Sequence, residues 1–230
     1  MDARDTLQAT FPLGETLDGI LRTVLLYLPH CRQAGLVSLA LDDGATVMPR
    51  IQPVMLALGD SITQGMESPY PSLTWPAVAA RRLGMDVHNA GIGGHFFEAA
   101  ALPEQPVKEP TLITVAYGTN DWNIGWDVAH ARTYLARLRE LYPATPLAVL
   151  EPIWWEGHEE QAHHGCTFAA YREELRAIAL AFHPDYLLPM SALLPPGPCL
   201  LADGVHPSAA GHVVMGENVA LLLQAAVHTR

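Results

Sequence analysis

The run Val54-Met55-Leu56-Ala57-Leu58-Gly59-Asp60-Ser61-Ile62-Thr63 opens the part of this 230-residue chain whose pattern defines its architecture. Its first five residues are apolar and precede a glycine and small polar residues, as expected of a buried strand that ends in a loop. From residue 54 onward, apolar strands alternate with amphipathic helices, which favours a mostly parallel sheet covered on both faces. Ser61 then falls at the carboxyl edge of the sheet, where open α/β sheets bind ligands.

The pattern predicts five strands, separated by four helices. The strands are predicted over residues 54–58, 86–89, 112–117, 147–150 and 186–188. The helices are predicted over residues 74–83, 127–141, 168–182 and 208–227, with Asp127 and Ser208 suited to N-capping. We therefore expect a flavodoxin-like three-layer α/β/α sandwich with a five-stranded, mostly parallel sheet.

Residues 1–50 have a different pattern and predict a short β-rich extension. Apolar and polar residues alternate loosely over 36–41, residues 42–44 are a turn signal, and 46–48 would return as a second strand. The sequence is thus divided into a small N-terminal β-hairpin extension, 1–50, and a main domain, 51–230. The extension would lengthen the sheet or form a contact in a homo-oligomer.

Composition indicates a globular protein that has no nucleic-acid partner. Half of the residues are apolar and 16% are charged, which favours a compact core. The net charge of −11 disfavours binding to a phosphate backbone, because that requires clustered Lys and Arg side chains.

The cysteines and the N-terminus predict a cytoplasmic protein with no membrane partner. The three cysteines Cys31, Cys166 and Cys199 are odd in number and widely spaced, so we expect free thiols in a reducing compartment. Acids near Met1 argue against a signal peptide. The apolar run 20–28 contains Arg22 and is too short to cross a bilayer.

Four short motifs along the chain together supply the parts of a hydrolase site. Each follows a predicted strand or precedes a predicted helix, which makes a chance combination improbable. They are Gly59-Asp60-Ser61-Ile62-Thr63, Asn89-Ala90-Gly91-Ile92-Gly93-Gly94, Gly118-Thr119-Asn120-Asp121 and Asp203-Gly204-Val205-His206-Pro207.

Ser61, His206 and Asp203 are the candidates for nucleophile, base and orienting acid. A serine hydroxyl is a weak nucleophile and requires a base within hydrogen-bond reach, which a third group orients. Asp203 lies three residues before His206 on a turn that contains glycine, so its carboxylate can reach one imidazole nitrogen while the other faces Ser61. The alternatives are that Ser61 only caps a helix, and that His206 and Asp203 are a capping histidine and a solvated acid.

Three donors are candidates for stabilising the oxyanion of an attacked ester. They are the backbone N–H groups of Ser61 and Gly94 and the side-chain amide of Asn120. Glycine lets the backbone approach a substrate with no Cβ in the way, although Gly94 could also be an ordinary turn glycine.

Taken together, these motifs resemble the GDSL/SGNH hydrolase family over residues from about 54 to 228. The family's functional residues fall on Ser61, Gly94, Asn120, Asp203 and His206, and Ile62 stands where the family name has leucine. The resemblance implies a cofactor-free, metal-independent serine esterase that acts on a small-molecule acyl ester, with short acyl or acetyl esters expected. It also leaves open a thioesterase, a carbohydrate O-deacetylase or a catalytically silent carbohydrate-binding module. Residues 1–50 would then be a remnant of the β-sandwich module that precedes some of these catalytic domains.

Two further groups of residues allow competing hypotheses. Asp60 and Asp121 could form a carboxylate pair for glycoside hydrolysis, but we favour supporting roles for them beside Ser61 and Asn120. His158 and His163, on the polar stretch 158–166, invite a zinc hypothesis, although the spacing fits no common zinc motif and a mobile polar loop is favoured.

Four tryptophans follow the third and fourth strands, close to the expected site. They could line an acyl or sugar pocket or could pack in the core. They are Trp122, Trp126, Trp154 and Trp155.

Overall fold

A computed structural model describes residues 10, 24–32, 35–41, 51–106, 109–197 and 199–227 of the chain. All five predicted strands are present. They are β1 (Val54–Gly59), β2 (Asp86–Gly91), β3 (Leu112–Ala116), β4 (Leu147–Leu150) and β7 (Tyr186–Leu188). They form one parallel sheet in the order β2-β1-β3-β4-β7. This strand order is that of flavodoxin-like sheets, so the predicted fold class is confirmed.

The four predicted helices are present, with ends within two residues of their expected positions. They are α2 (Trp75–Leu83), α4 (Ala129–Leu141), α5 (Phe168–Leu180) and α7 (Ala209–Val227). In the described part of the chain, the structure adds three short α-helices, α1 (Ser61–Gln64), α3 (Thr119–Ile124) and α6 (Met190–Leu193), and two 3₁₀ turns, Pro71–Leu73 and Ala99–Ala101. It also adds a small antiparallel hairpin, β5 (Ala162–His163) with β6 (Cys166–Thr167). Elements this short do not repeat an apolar period, so the sequence pattern does not reveal them.

Both predicted capping residues accept hydrogen bonds at helix starts. Ser208 Oγ accepts a bond of 3.2 Å from the Gly211 N–H at the start of α7. Asp127 Oδ1 accepts a bond of 2.8 Å from the Ala129 N–H, although α4 begins at Ala129, two residues later than predicted. Each bond satisfies a backbone donor that the helix leaves without an internal partner.

Side chains of β1 alternate between two cores, one on each face of the sheet. Leu56 and Leu58 pack in the core beneath α4 and α5, whereas Met55 and Ala57 pack in the core beneath α2 and α7. The helices contribute Tyr134, Leu135, Leu138, Leu175 and Ile178 to the first core, and Trp75, Ala79, Met215, Val219 and Leu223 to the second. Burial on both faces explains why β1, β3 and β4 are almost continuously apolar.

The N-terminal extension is described only in part. Residues 36–41 contain no strand, and the apolar side chains there are exposed, so they lack the packing surface that would stabilise one. The remainder of the predicted hairpin, residues 42–50, lies outside the described residues, so the hairpin stays a prediction. Within the described residues, no helix combines the length and the apolar character needed to cross a membrane.

The end of β2 approaches α1 so closely that only glycine fits at residue 91. A methyl group at Gly91 would overlap the backbone nitrogen of Gln64 and lie 2.7 Å from the carbonyl carbon of Thr63. Backbone atoms cannot yield as the tip of a flexible side chain can, so β2 or α1 would have to move.

We expect Gly91→Ala to destabilise the fold by about 1–3 kcal/mol, the usual cost of overpacking a tight contact. Urea unfolding followed by circular dichroism measures the change. Gly35→Ala is the matched control, because a methyl group at Gly35 would meet nothing within 4 Å. Equal stability of the two variants would contradict the close contact between β2 and α1.

Candidate active site

Ser61 is the first residue of the short helix that follows β1. Asp60 is the N-cap, and its Oδ1 accepts a hydrogen bond of 2.9 Å from the Ile62 N–H. The hypothesis that Ser61 only caps this helix is therefore wrong, because its neighbour is the cap. As the first helical residue, Ser61 also belongs to the turn whose N–H groups have no helical acceptor.

Ser61, His206 and Asp203 form a continuous line of hydrogen bonds. Ser61 Oγ lies 2.8 Å from His206 Nε2, and His206 Nδ1 lies 2.7 Å from Asp203 Oδ2. With Nδ1–H donating to the carboxylate, Nε2 is free to accept the proton of the Ser61 hydroxyl. The structure thus brings together all three residues that the sequence singled out.

Two opposing effects act on the pKa of Asp203. Partial burial raises the pKa, but hydrogen bonds from the His206 ring and from the backbone N–H groups of His206 and Val205 outweigh it, so the pKa falls below its ordinary value. Those two backbone N–H groups lie 2.8 Å and 3.1 Å from Asp203 Oδ1. The carboxylate therefore stays ionised where His206 needs it.

Backbone bonds hold the turn that carries Asp203 and His206. The Ala202 N–H donates to the His206 carbonyl at 2.8 Å, and the Glu156 N–H donates to the Gly204 carbonyl at 2.9 Å. The second bond links this turn to the loop after β4, so two loops brace each other beside the site.

The glycine turn that carries the Gly94 N–H lies beside Ser61 and is bonded to Asn120 through His95. A methyl group added at Gly93 would lie 3.7 Å from Ser61 Cβ. Gly94 follows with a φ of +77°, a conformation that favours glycine, and no acceptor for its N–H is found among the described residues. Asn120 Nδ2 donates to the His95 carbonyl at 2.8 Å, which leaves the second amide hydrogen available.

Residues 57–214 match the model of the GDSL-like lipase/acylhydrolase family. The chain belongs to this family. As a GDSL acylhydrolase it is an ester hydrolase, as the motifs predict. Comparison with curated proteins gives no significant match.

Solved structures share the fold of this GDSL acylhydrolase. A salicylyl-acyltransferase from a tetracycline biosynthetic pathway is 25% identical with a TM-score of 0.63, over 76% of this chain and 55% of that one. The acylhydrolase thus spans about half the length of that protein. A member of the lipolytic protein G-D-S-L family from Veillonella parvula is 19% identical, covering 74% of this chain and 98% of that one, with a TM-score of 0.57. A carbohydrate esterase family 2 enzyme with a carbohydrate binding domain, from Corynascus thermopiles, is 16% identical, covering 80% and 69%, with a TM-score of 0.61.

Asp60 and Asp121 lie beneath the site of the acylhydrolase and are closed to solvent. Their exposed fractions are 2% and 0%, so they cannot flank a sugar as a glycosidase pair would. Asp121 Oδ1 accepts a bond of 2.9 Å from the Phe97 N–H and so holds the segment after the Gly94 turn. Burial raises the pKa of Asp60 to about 7 and that of Asp121 to about 6.

Three residues that contact the nucleophile helix or its end are not among the predicted site residues. His212 is wholly buried, and its Nε2 lies 2.9 Å from the Met66 carbonyl. Burial is the main cause that lowers the pKa of His212 to about 4, so the ring is neutral at physiological pH. Gln64 Nε2 donates a hydrogen bond of 3.0 Å to the His30 carbonyl. Gln64 directly follows the motif that contains Ser61, so its sequence position could have indicated a place near the site. The sequence around His30 contains no such indication.

The four tryptophans divide between core and surface. Trp122 is buried, and its Nε1 donates to the Cys166 carbonyl at 3.0 Å, so packing explains it. Trp126, Trp154 and Trp155 are half-buried. Trp154 lines a cavity of about 370 Å³ together with Glu156, Pro196, Gly197, Cys199 and Leu201. This cavity adjoins the His206 turn, because Leu201 pairs with Pro207.

The loop proposed to bind zinc is held by other contacts. His158 Nδ1 lies 2.8 Å from the Glu156 carbonyl, and His163 Nε2 lies 2.8 Å from the Asn123 carbonyl. In the described part of the chain, no three His, Cys, Asp or Glu side chains are grouped so that they could hold a metal ion. The buried guanidinium of Arg172 donates two hydrogen bonds to Glu159, which anchors the loop to α5.

Asp60 should make stability depend on pH. Its pKa of about 7 in the folded protein lies above its ordinary value of 3.8, so the folded protein keeps a proton that the unfolded chain loses. This contribution is present below about pH 4 and is lost as the pH rises through 7. Asp60→Asn cannot ionise but can still cap α1, so its melting temperature relative to the native protein should increase between pH 4 and pH 8.

Thermal unfolding across that pH range is the measurement. Asp86→Asn is the control, since Asp86 is an exposed carboxylate at the start of β2. A melting-temperature difference for Asp60→Asn that stays constant with pH would contradict the buried, partly protonated cap.

Proposed function

We propose that this GDSL acylhydrolase is a serine esterase that cleaves short acyl or acetyl esters through an acyl-enzyme intermediate. The observation that carries the proposal is the 2.8 Å contact between Ser61 Oγ and His206 Nε2, continued by the 2.7 Å contact from His206 Nδ1 to Asp203. A hydroxyl that faces an imidazole oriented by a carboxylate is the arrangement that nucleophilic catalysis requires.

In the first half of the reaction, the enzyme is acylated. Ser61 Oγ bonds to the carbonyl carbon of the ester while its proton passes to His206 Nε2, which gives a tetrahedral oxyanion. The bond between that carbon and the alcohol oxygen then breaks, and His206 returns the proton to the departing alkoxide. Asp203 stabilises the imidazolium between these two transfers.

In the second half, water replaces the alcohol. His206 Nε2 takes a proton from water, whose oxygen bonds to the acyl carbon. The bond from that carbon to Ser61 Oγ then breaks, and the proton passes from His206 to Ser61 while the carboxylic acid departs. The free N–H groups of Ser61 and Gly94 and the second amide hydrogen of Asn120 stabilise the oxyanion in both halves.

The expectation of a short acyl group comes from the family resemblance, and the cavity beside the His206 turn is consistent with it, although Ser61 and His206 do not line that cavity. The cavity of about 370 Å³ that Trp154 and Glu156 line is near the lower end of the range for ligand pockets. A thioester, or an acetyl group on a sugar, would be attacked by the same residues. The neighbouring carbohydrate esterase makes the second of these substrates the natural one to assay beside simple esters.

Removing either member of the Ser61–His206 pair should abolish hydrolysis without unfolding the protein. We expect Ser61→Ala and His206→Ala each to lower kcat about a thousandfold or more, because the two side chains act as a unit. The assay is the initial rate on p-nitrophenyl esters from acetyl to long acyl chains, with circular dichroism as the test of folding.

The matched controls are Ser191→Ala and His88→Ala, since both side chains are exposed and lie on α6 and β2. A preference for acetyl would support the proposed substrate class, and a rise with chain length would favour a lipase. No Ser61-dependent rate on any ester would instead support a silent binding module.

Asn120→Ala should lower kcat by roughly a hundredfold or more, the usual cost of losing one oxyanion donor. KM should change little, because the donor acts mainly on the tetrahedral intermediate. Steady-state kinetics on p-nitrophenyl acetate measure both constants. Asn123→Ala, an exposed position on the same helix, is the control, and equal rates for the two variants would remove Asn120 from the oxyanion site.

A further inference from the structure

The side chain of Gln64 spans the space between the glycine turn and the N-terminal segment. Gln64 Oε1 accepts a hydrogen bond of 2.7 Å from the Gly93 N–H, and Gln64 Nε2 donates a bond of 3.0 Å to the His30 carbonyl. Both ends of the amide are therefore occupied by backbone groups from distant parts of the chain. A neutral amide supplies an acceptor and a donor together, which a carboxylate or an ammonium group cannot do.

Gln64 is rigidly related to the nucleophile. It is the last residue of α1, the helix that Ser61 begins, and the Asn89 side chain holds that helix by a 2.8 Å bond to the Thr63 carbonyl. The Gln64 side chain reaches from this fixed base to the turn that packs against Ser61 Cβ. The bond from the Gly93 N–H to Gln64 therefore ties this turn directly to the helix that begins at Ser61.

The other hydrogen bonds of the turn lie on either side of Gly93 and Gly94, since Ile92 is bonded to Gly59, and His95 is bonded to Ile92 and to Asn120. Of its four consecutive N–H groups, those of Ile92 and His95 bond to backbone carbonyls, at 3.0 Å and 3.1 Å, and that of Gly93 bonds to Gln64. The Gly94 N–H is left without an acceptor among the described residues. A methyl group at Gly94 would meet nothing within 4 Å, so packing does not hold the turn there either.

The N-terminal segment fixes the other end of the amide. His30 Nε2 lies 3.0 Å from the Gly65 carbonyl, and its ring packs against Gly65, where a methyl group would come within 3.0 Å of His30 Cδ2. His30 therefore contacts both residues at the end of α1. Because its carbonyl requires a donor, it orients Gln64 so that Oε1, and not Nε2, faces Gly93.

We propose that Gln64 is a positioning residue of the esterase site, which couples the N-terminal segment at His30 to the Gly93–Gly94 turn and so aims the Gly94 N–H at the substrate oxyanion. The role of the Gly94 N–H rests on the proposed function, whereas the hydrogen bond itself does not. A turn displaced by even a fraction of an ångström would weaken the oxyanion bond while leaving the binding of the substrate's ground state almost unchanged.

Amide hydrogen exchange by NMR on the native protein tests the hydrogen bond without any assay of activity. Gly93 and Gly94 are both exposed, but among the described residues only the Gly93 N–H has an acceptor, so its exchange should be about tenfold slower or more. The protection should disappear in Gln64→Met, which keeps the length of the side chain and removes both hydrogen bonds. Equal exchange at the two glycines, or protection that survives in Gln64→Met, would overturn the proposal.

Kinetics on p-nitrophenyl acetate test the consequence for catalysis. Gln64→Met should lower kcat about tenfold and leave KM almost unchanged, at a temperature well below its melting point. Gln52→Met is the matched control and should keep the native kcat, because the one hydrogen bond of the Gln52 amide to a described residue goes to the adjacent Ile51 carbonyl. A native kcat in Gln64→Met would overturn the positioning role.

The two proposals fail in distinguishable ways. If the native protein shows no rate above the Ser61→Ala blank, the esterase proposal fails, and exchange at Gly93 still decides whether Gln64 holds the turn. If Gln64→Met does not fold, the exchange rates of Gly93 and Gly94 in the native protein decide the same point.

Discussion

The buried Asp60 carboxyl group accepts a hydrogen bond from the Ile62 N–H. This bond determines that β1 ends and α1 begins at this point. Because this cap begins the helix at Ser61, it places the hydroxyl at the carboxyl edge of the sheet, within 2.8 Å of His206. The cap is costly, since a carboxylate with 2% exposure has lost nearly all of its hydration. This loss of hydration is the main cause that raises the pKa of Asp60 to about 7, so the stability of the folded protein depends on pH.

Around this fixed point, the site is assembled from loops whose backbones brace one another. His206 is 145 residues away from Ser61 in the sequence, yet its turn is closed by bonds within residues 201–207 and by the bond from the Glu156 N–H to the Gly204 carbonyl. On the opposite side, the Gly93–Gly94 turn is held against Ser61 by Gln64. Both supports are made by groups that take no direct part in the proposed chemistry, and both come from segments beside the sheet edge.

The larger elements were predictable because each repeats its own signal. β1, β3 and β4 are short apolar runs that are buried on both faces, whereas β2 and β7 at the edges of the sheet are partly exposed. The helices α2, α4, α5 and α7 each bury one side against the sheet, so period and composition locate most of these elements. By contrast, α1, α3 and α6 have four to six residues, which is too few to repeat an apolar face, and local caps and contacts determine them. The N-terminal residues 36–41 alternate as a strand would but have no surface to pack against, and the structure contains no strand there.

By itself, the sequence determined the sheet, its covering helices and the candidate residues of the site. The reason is that residue type and position after a strand can be read from a short stretch of sequence. It named Ser61, Asp203 and His206, which the structure joins by hydrogen bonds, and it named Gly94 and Asn120 as candidate oxyanion donors. Only the tertiary structure decided that Asp60 and not Ser61 caps α1, that Asp60 and Asp121 are closed to substrate, and that Gln64 joins His30 to Gly93. The physical reason is that burial and hydrogen-bond partnership belong to pairs of residues far apart in the chain, such as His30 and Gln64, and no local pattern records them.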